Sequence, residues 1–490
     1  MKKIATYAGV AVLLVISIAT HFAFFGYPAE TVFDEVHFGK FISGYLTGEY
    51  FFDIHPPLAK LLISAVGYFG EFDPVVGFGS IGESLAGTNF AWLRLLPAIA
   101  GTLLPIIIYM LSRTLKLSRI AAFTAGLLVI LENSLLVQSR FILLDSILLL
   151  LGFSGLAFYF SYRNRKEHTT SWARLTAAIA LGAFAVSIKW TGLSFLAIMA
   201  GVEIYDLFKK HALPLGASLW KRSFSAKDIP WRKPQIREFA MKIGLFVILP
   251  FAIYFAVFAV HFALLDKTGP GKDFMSKEFQ KTLAGNKYED DEDVRPSGIF
   301  DKFIELNAEM YRANQRLDDL HAYGSPWYSW VYMKRPVYFW DGSPSLENTD
   351  NAGRLARIYL LGNPLIYWIG SASVIILLGY FALLMFDGKA SRRKKELSMI
   401  LLAGYFINLI PFIFIGRVMF IYHYFAALIF SIIILAFLID EIAKKRNRRV
   451  AAASIIAICA LSFIYFAPLS YGLPMETEKL MSRFWFKTWQ

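Results

Sequence analysis

A single cysteine, Cys459, stands in 490 residues. That excludes a disulfide framework and any cysteine-based metal site. Charge is scarce as well: 18% of residues are Asp, Glu, Lys or Arg, against 56% hydrophobic and 16% aromatic. No chain of soluble domains hides that much apolar surface, whereas a bilayer accepts it. Acidic residues number 37 against 50 basic ones, for a formal net charge of +13. The excess does not mark a nucleic-acid binder, because the basic residues fall in short clusters between apolar runs, where membrane-flanking charges belong. Internal repeats, low-complexity tracts and Asn-x-Ser/Thr sequons are also missing.

What is present is a series of apolar runs of spanning length. They lie near 4–26, 90–111, 119–137, 141–161, 174–189, 191–208, 243–265, 362–386, 397–415, 418–439 and 450–470. The pattern predicts an all-α polytopic membrane protein with about eleven transmembrane helices. Lys2 and Lys3 precede the first run as they would in a signal peptide. That run exceeds twenty residues and has no small-x-small site before Tyr27-Pro28, so it reads as a retained span. With the N-terminus inside, the inner segments together carry about +20, leaving about −7 for everything else. The predicted topology is N-in, C-out.

This frame divides the chain into an N-terminal transmembrane core (1–265, including an outer loop 27–88), an outer cap (266–361) and C-terminal transmembrane helices (362–490). The first outer loop contains an apolar stretch near Leu58–Phe69 that suits a helix lying in the interface. The cap holds an acidic run, Glu289–Asp293, and an aromatic-rich stretch from His321 to Trp340. The inner segment 209–242, with Pro214, Pro230 and Pro234, reads as a basic surface linker.

An ionisable group at the centre of a membrane helix costs about 2.5–3.5 kcal/mol on insertion scales, so each one calls for a reason. Here they gather on one side. Asp34 and Glu35 follow the first run, and Arg94 lies near the outer end of the second. Glu132, Arg140 and Asp145 surround the next outer turn, while Lys189 and Arg417 end or precede later spans on the same rim. The convergence implies an outer polar cavity holding both signs of charge. Cations such as Arg140, Lys189 and Arg417 suit a lipid phosphate. A carboxylate beside them can take a proton from an incoming hydroxyl. A sugar on a lipid phosphate needs no general acid once cations neutralise the leaving group.

Plainer readings stand beside these. Asp34-Glu35 also fits a solvated helix cap, Arg140 a structural ion pair with Asp145 or Glu132, and Lys189 a snorkelling lysine beside Trp190. His21 and His261 read as packed, hydrogen-bonded core histidines. Trp327, Trp330 and Trp340 fit an interfacial belt as well as a sugar platform. The acidic run fits a solvated loop or a weak calcium site.

Beyond these side-chain arguments, the chain resembles a known family. Phe33-Asp34-Glu35-Val36-His37-Phe38, followed by Asp53-Ile54-His55-Pro56-Pro57, is similar to the first outer loop of the protein O-mannosyltransferases. Leu131-Glu132-Asn133-Ser134 through Arg140 to Asp145, Ser187-Ile188-Lys189-Trp190, and His261-Phe262 with Gly269-Pro270-Gly271 follow in the family's order. Ser325-Pro326-Trp327 with Trp330, Arg417 with Tyr422-His423-Tyr424, and Tyr471-Gly472 complete it. The resemblance implies a GT-C fold and an inverting transfer of mannose from a polyprenyl-phosphate donor to Ser or Thr hydroxyls of exported proteins. It places the acidic pair on Asp34 and Glu35, with Asp34 as the base. Arg140, Lys189, Arg417, His423, Glu132 and Trp190 become contacts to donor phosphate or sugar. His55, Asp145, His321, Trp327 and Trp330 are acceptor or loop candidates.

No metal or other cofactor is required, since the lipid-linked sugar is a substrate. The implied partners are that donor, an exported polypeptide, membrane lipids and a second copy or paralogue in a dimer. The outer loop of roughly 95 residues is too short and too charged for the β-trefoil domain that eukaryotic members carry there. This points to a prokaryotic member in the plasma membrane with its site facing outward. The Gly-Pro-Gly stretch is close to the eukaryotic pattern, which keeps the endoplasmic reticulum as the alternative. Other lipid-phosphate sugars, lipid acceptors such as lipid A, and a transporter or flippase are the competing functions.

Overall fold

The computed structural model describes residues 2–165, 171–219, 233–316, 321–343, 351, 353–442 and 447–490. The N-terminal half runs through α1 (Lys2–His21), α2 (Glu35–Thr47), α3 (Leu58–Phe69), α4 (Ala91–Thr114), α5 (Arg119–Ile130) and α6 (Asn133–Arg140). It continues through α7 (Asp145–Arg163), α8 (Ser171–Val186), α9 (Leu193–Leu219) and α10 (Lys233–Leu264). Short α11 (Lys277–Gln280), α12 (Ile299–Arg316) and α13 (Trp327–Trp330) lie in the segment expected to form the cap. The chain closes with α14 (Pro364–Phe386), α15 (Arg392–Ile407), α16 (Phe425–Ile442), α17 (Arg448–Tyr471) and α18 (Thr477–Met481).

Among the described residues, seven helices are long and apolar enough to cross a membrane, and the bent pair α5–α6 makes an eighth if counted as one span. Eleven spans were expected, and the difference has local causes. The count takes in only Tyr7–His21 of α1, and α8 is a shorter apolar helix. In α9 the apolar run is interrupted by Glu203, Asp206, Lys209 and Lys210. The predicted basic linker is also shorter than expected: α9 and α10 extend into 209–242, and residues 220–232 lie outside the described residues.

The bend between α5 and α6 is 56°. Ser118 starts α5 by accepting the Ala121 N–H at 3.2 Å. At Glu132 the backbone turns extended, and its carboxylate accepts the N–H groups of Ser134 (2.8 Å) and Leu135 (3.1 Å). A new helix therefore starts in a new direction, with its orphan donors satisfied. The other carboxylate oxygen accepts the Asn363 N–H at 2.6 Å, just before Pro364 opens α14. One buried carboxylate thus ties the bend to the C-terminal helices.

The cap is built on the first outer loop. Gly48 ends α2 in the left-handed region (φ 82°). The Tyr50 N–H then donates to Lys267 O at 2.9 Å, and the Gly271 N–H donates to Tyr50 O at 3.2 Å. A Cβ on Gly271 would sit 2.1 Å from Phe52 N, and one on Gly269 would sit 2.3 Å from Tyr50 O. The Gly-Pro-Gly stretch is therefore a clamp that presses the cap backbone onto the strand leading to Asp53 and His55. Apolar residues on both sides, including Tyr50, Phe51, Phe262, Phe279, Leu306 and Met310, form a cluster of their own. A Gly271→Ala variant is expected to lose about 1–3 kcal/mol of stability through overpacking, and a thermal midpoint equal to wild type would remove the clamp.

One departure from an all-α cap appears in the aromatic-rich stretch. Strands β1 (Val337–Asp341) and β2 (Arg357–Leu360) form an antiparallel ribbon, irregular between Tyr338 and Trp340. Trp340 is buried there, and its Nε1 donates to Glu30 Oε2 at 2.8 Å, so it is neither belt nor sugar platform. The Phe33 N–H donates to Phe339 O at 3.1 Å, and the two rings stack 4.3 Å apart. This holds Phe33 in the left-handed region (φ 44°) immediately before Asp34.

Candidate active site

A cavity of about 200 Å³ opens where the start of α7, the end of α8, the end of α12 and the α15–α16 connection meet. Lys189, Asp145, Trp190, His55, Arg417 and His423 all line it. Lys189 Nζ lies 2.8 and 2.9 Å from the two Asp145 oxygens, and Gln138 Nε2 donates to Asp145 Oδ2 at 2.7 Å. This pair leaves Lys189 oriented across the Tyr422 ring, 5.4 Å from its centroid. Arg417 is half-buried, and among the described residues its guanidinium has neither an ion-pair nor a hydrogen-bond partner. A buried charge without a partner is costly. Arg417 is therefore the natural seat for an anion.

Asp34 is half-buried and is not among the residues that line this cavity, but the charges of the lining residues Lys189 and Asp145 act on its carboxyl. Its side chain makes no capping bond to α2, and among the described residues it has no ion-pair partner. Burial pushes its carboxyl up to about 7; the charge of Lys189 opposes this, and the charges of Asp145 and Asp53 add to it. A carboxyl with that affinity is poised to exchange a proton at neutral pH.

Glu35 differs in every respect. It is fully buried, and its carboxylate faces Arg94, with contacts of 2.8 and 2.7 Å. It also accepts the N–H groups of Val32 (2.9 Å) and Ile142 (2.9 Å). Arg94 uses its remaining donors on Gly26, Pro28 and Glu30 carbonyls. The expected catalytic pair is thus one carboxylate without an ion-pair partner among the described residues and one closed on Arg94.

His55 reaches the cavity from the first outer loop. Lys60, buried in the otherwise apolar α3, holds that loop by bonding Asp53 and the carbonyls of His55 (2.9 Å) and Pro56 (3.3 Å). Burial, then the charges of Lys189, Arg417, Lys60 and His423, drive the His55 pKa well below its ordinary value. The ring is therefore neutral and able to accept as well as donate. His423 Nδ1 lies 2.9 Å from the Phe420 carbonyl, and its ring stacks on Trp330 at 5.9 Å. Trp330 itself is buried, with Nε1 donating to Ser325 O and Oγ, so it backs His423 instead of facing the cavity. Trp190 donates to Tyr254 Oη at 2.9 Å.

Four expected site residues lie elsewhere. Arg140 donates to the carbonyls of Ala23, Phe24 and Tyr27 and sits over the Tyr471 ring, 4.7 Å from its centroid, which ties α1 to α6 and α17. Both of its terminal nitrogens bond backbone, its Nε has no partner among the described residues, and it is not among the residues that line the cavity. Glu132 is occupied by the helix bend. His321 is exposed and packs edge-on against Phe420, and Trp327 packs against Tyr328. The core histidines are packed as expected: His21 bonds Ser17 O at 2.9 Å, and His261 meets Tyr45 Oη at 2.6 Å. Residues 289–293 form a turn with Asp293 N–H donating to Asp291 Oδ1.

Sequence reasoning missed Lys60, Gln138, and the α12 residues Tyr311, Asn314 and Gln315 that close one cavity wall. Lys60 had a signal, as a lone charge within an apolar helix. The α12 residues had none.

Comparison with known sequences gives the family. The family model described as dolichyl-phosphate-mannose-protein mannosyltransferase matches residues 11–266. The chain belongs to the protein O-mannosyltransferase family. A second model, the C-terminal four-transmembrane region of protein O-mannosyltransferase, matches residues 299–489. Among relatives, protein O-mannosyltransferase 1 of Drosophila melanogaster is 36% identical over 56% of this chain and 30% of its own length. Dolichyl-phosphate-mannose–protein mannosyltransferase 4 of Saccharomyces cerevisiae is 34% identical over 56% of this chain and 35% of its own. The matched part thus spans about a third of these mannosyltransferases. The fold extends the likeness: the S. cerevisiae Pmt1–Pmt2 complex bound to the sugar donor superimposes with a TM-score of 0.85 at 20% identity. That match covers 99% of this chain and 93% of the other.

Proposed function

We propose that this cavity transfers mannose from a polyprenyl-phosphate donor to Ser or Thr hydroxyls of a polypeptide, in a single inverting displacement. The observation that carries the reading is the Arg417 guanidinium, which has no ion-pair or hydrogen-bond partner among the described residues and shares a cavity with Lys189, whose charge also acts on the Asp34 carboxyl. The acceptor oxygen attacks C1 of the sugar as Asp34 takes its proton, and the C1–O bond breaks with its electron pair leaving on phosphate. Arg417 and Lys189 neutralise that developing charge, which is the larger part of such catalysis. No metal has a role in this scheme.

The positive inner segments support an N-in, C-out chain with the cavity on the outer face of the plasma membrane, the lumenal face of the endoplasmic reticulum being the alternative. Pairing with a second copy or a paralogue belongs to the proposal, because the yeast relative of the same fold is a two-protein complex.

The test supplies purified chain in proteoliposomes with labelled polyprenyl-phosphate-mannose and either a Ser/Thr-rich peptide or a lipid acceptor. Label on the peptide supports the reading. Label on lipid, or translocation of the donor without transfer, would replace it with a lipid-modifying enzyme or a flippase. In the same assay Arg417→Ala is expected to raise KM for the donor on the order of 10–100-fold, the range of a lost charge-assisted hydrogen bond. Arg417→Lys should recover only part of this, since an ammonium lacks the bidentate fork. An unchanged KM in both would remove Arg417 from phosphate binding.

A further inference from the structure

Lys189 and Trp190 stand side by side on the cavity wall, and each is held from a different direction. Lys189 is bound by Asp145 on α7, which Gln138 on α6 holds in turn. Trp190 is held through α10 and α12. Its backbone opens a short turn, Trp190–Gly192, in which the Gly192 N–H donates to Lys189 O at 2.9 Å. A Cβ on Gly192 would sit 2.4 Å from Ala185 C, so the turn is pressed onto the end of α8. That fixes where the indole starts and leaves its direction to the side-chain torsions.

One hydrogen-bond relay sets that direction. Asn307 Nδ2 donates to Phe303 O at 2.8 Å, which leaves Asn307 Oδ1 to accept. The Tyr254 hydroxyl donates to that Oδ1 at 2.6 Å. An indole N–H can only donate, whereas a phenol oxygen both donates and accepts. With its proton on Asn307, Tyr254 turns its lone pairs to Trp190 Nε1, 2.9 Å away. Every group in the relay has one role, so the relay fits one orientation of the indole. Ring contacts hold Tyr254 itself, its centroid lying 4.9 Å from Phe258 and 5.9 Å from Phe303. Among the described residues no charged side chain bonds Trp190, Tyr254 or Asn307. One and two turns beyond Asn307, α12 reaches the cavity with Tyr311, Asn314 and Gln315, and Asn314 Nδ2 donates to Ile54 O at 3.1 Å beside His55.

Granted the proposed binding of polyprenyl-phosphate-mannose in this cavity, on which the assignment rests, we infer that Tyr254 and Asn307 are positioning residues that hold the Trp190 indole against the donor's sugar. The other parts of the donor fit Trp190 less well. Phosphate goes to the cations Arg417 and Lys189, and the indole N–H, already engaged by Tyr254, offers nothing to an anion. What remains is the flat apolar face of the ring, which suits the C–H face of a hexose. A polyprenyl chain also packs on such a face, but a flexible chain adapts to any apolar wall. A rigid sugar ring stacks only on an indole set in the right plane, and a fixed plane is what the relay supplies.

Dissociation constants for polyprenyl-phosphate-mannose and for polyprenyl phosphate, measured on the purified full chain in nanodiscs, test this. The variants are Tyr254→Phe, Asn307→Leu, Trp190→Phe and the double variant Trp190→Phe/Tyr254→Phe. Tyr254→Phe removes one oxygen and keeps the ring contacts, and its thermal midpoint shows that it is folded. Tyr254→Phe and Asn307→Leu are expected to weaken the mannose-bearing lipid about 2- to 10-fold, the range of one lost hydrogen bond. Both should bind polyprenyl phosphate as wild type does. In the Trp190→Phe background, Tyr254→Phe should have no further effect, because a phenyl ring has no N–H for Tyr254 to hold. Equal weakening of the two lipids would make Tyr254 and Asn307 structural and overturn the inference. So would a double variant whose losses add, or a Tyr254→Phe variant that binds the donor as wild type does. A wild type that binds neither lipid would remove the proposed function as well, whereas the other contrary outcomes leave that function standing.

Discussion

Replacing Asp34 by Asn should lower kcat by a factor of 10² to 10⁴, the contribution of a well-placed general base, with little change in thermal stability. The second half of that expectation follows from structure: the Asp34 carboxylate caps no helix and joins no ion pair among the described residues, so an amide breaks nothing. The pH dependence provides an independent check. The reaction needs Asp34 without its proton, and burial holds its pKa near 7. Activity should therefore be low below pH 6, rise through about 7 and level off above it. Parallel profiles for wild type and Asp34→Asn, or a variant of full activity, would assign the proton to another group.

Arg94→Ala should act in the opposite way, on stability before chemistry. Arg94 and Glu35 are both fully buried, and Arg94 donates to two carboxylate oxygens and three backbone carbonyls. Removing one partner leaves the other charge buried and unpaired, a loss of roughly 3–5 kcal/mol. The carbonyls of Gly26, Pro28 and Glu30 lose their donors too, which loosens the loop that delivers Asp34. A large drop in thermal midpoint is expected for Arg94→Ala and for Glu35→Ala. The double variant Arg94→Met/Glu35→Leu should be milder than the two losses added, because no lone charge remains. A Glu35 variant with a normal midpoint and abolished transfer would instead make Glu35 a reacting group.

The contrast between these neighbours shows what a sequence can and cannot carry. Asp34 and Glu35 are chemically alike and adjacent, yet Glu35 closes on Arg94 while Asp34 has no ion-pair partner among the described residues. Hydropathy singled out Arg140, Lys189 and Arg417, because a charge beside a span must have a reason to be there, and the cavity lining includes the last two. It could not say what would meet each guanidinium. Arg140 is met by backbone carbonyls, which every residue possesses, so no pattern announces them. Glu132 was drawn to the site by its place among acidic and basic neighbours, while its function is to start a helix at a bend. The short aromatic strand Val337–Asp341 had a β-rich composition but too little length to stand out from an interfacial belt. Span counting failed for a related reason. It measures apolarity along the chain, and α8 and the bent α5–α6 pair reach their packing with fewer residues in line.

The central claim is a one-step transfer of mannose to a protein hydroxyl. Its most direct test is the anomeric configuration of the product, read by NMR after single turnover of reconstituted chain with polyprenyl-phosphate-mannose and a Ser/Thr peptide. The account predicts mannose on a hydroxyl oxygen with the configuration opposite to that of the donor. Retained configuration would require a covalent sugar–enzyme intermediate, and that result, or no sugar on the peptide at all, would contradict it.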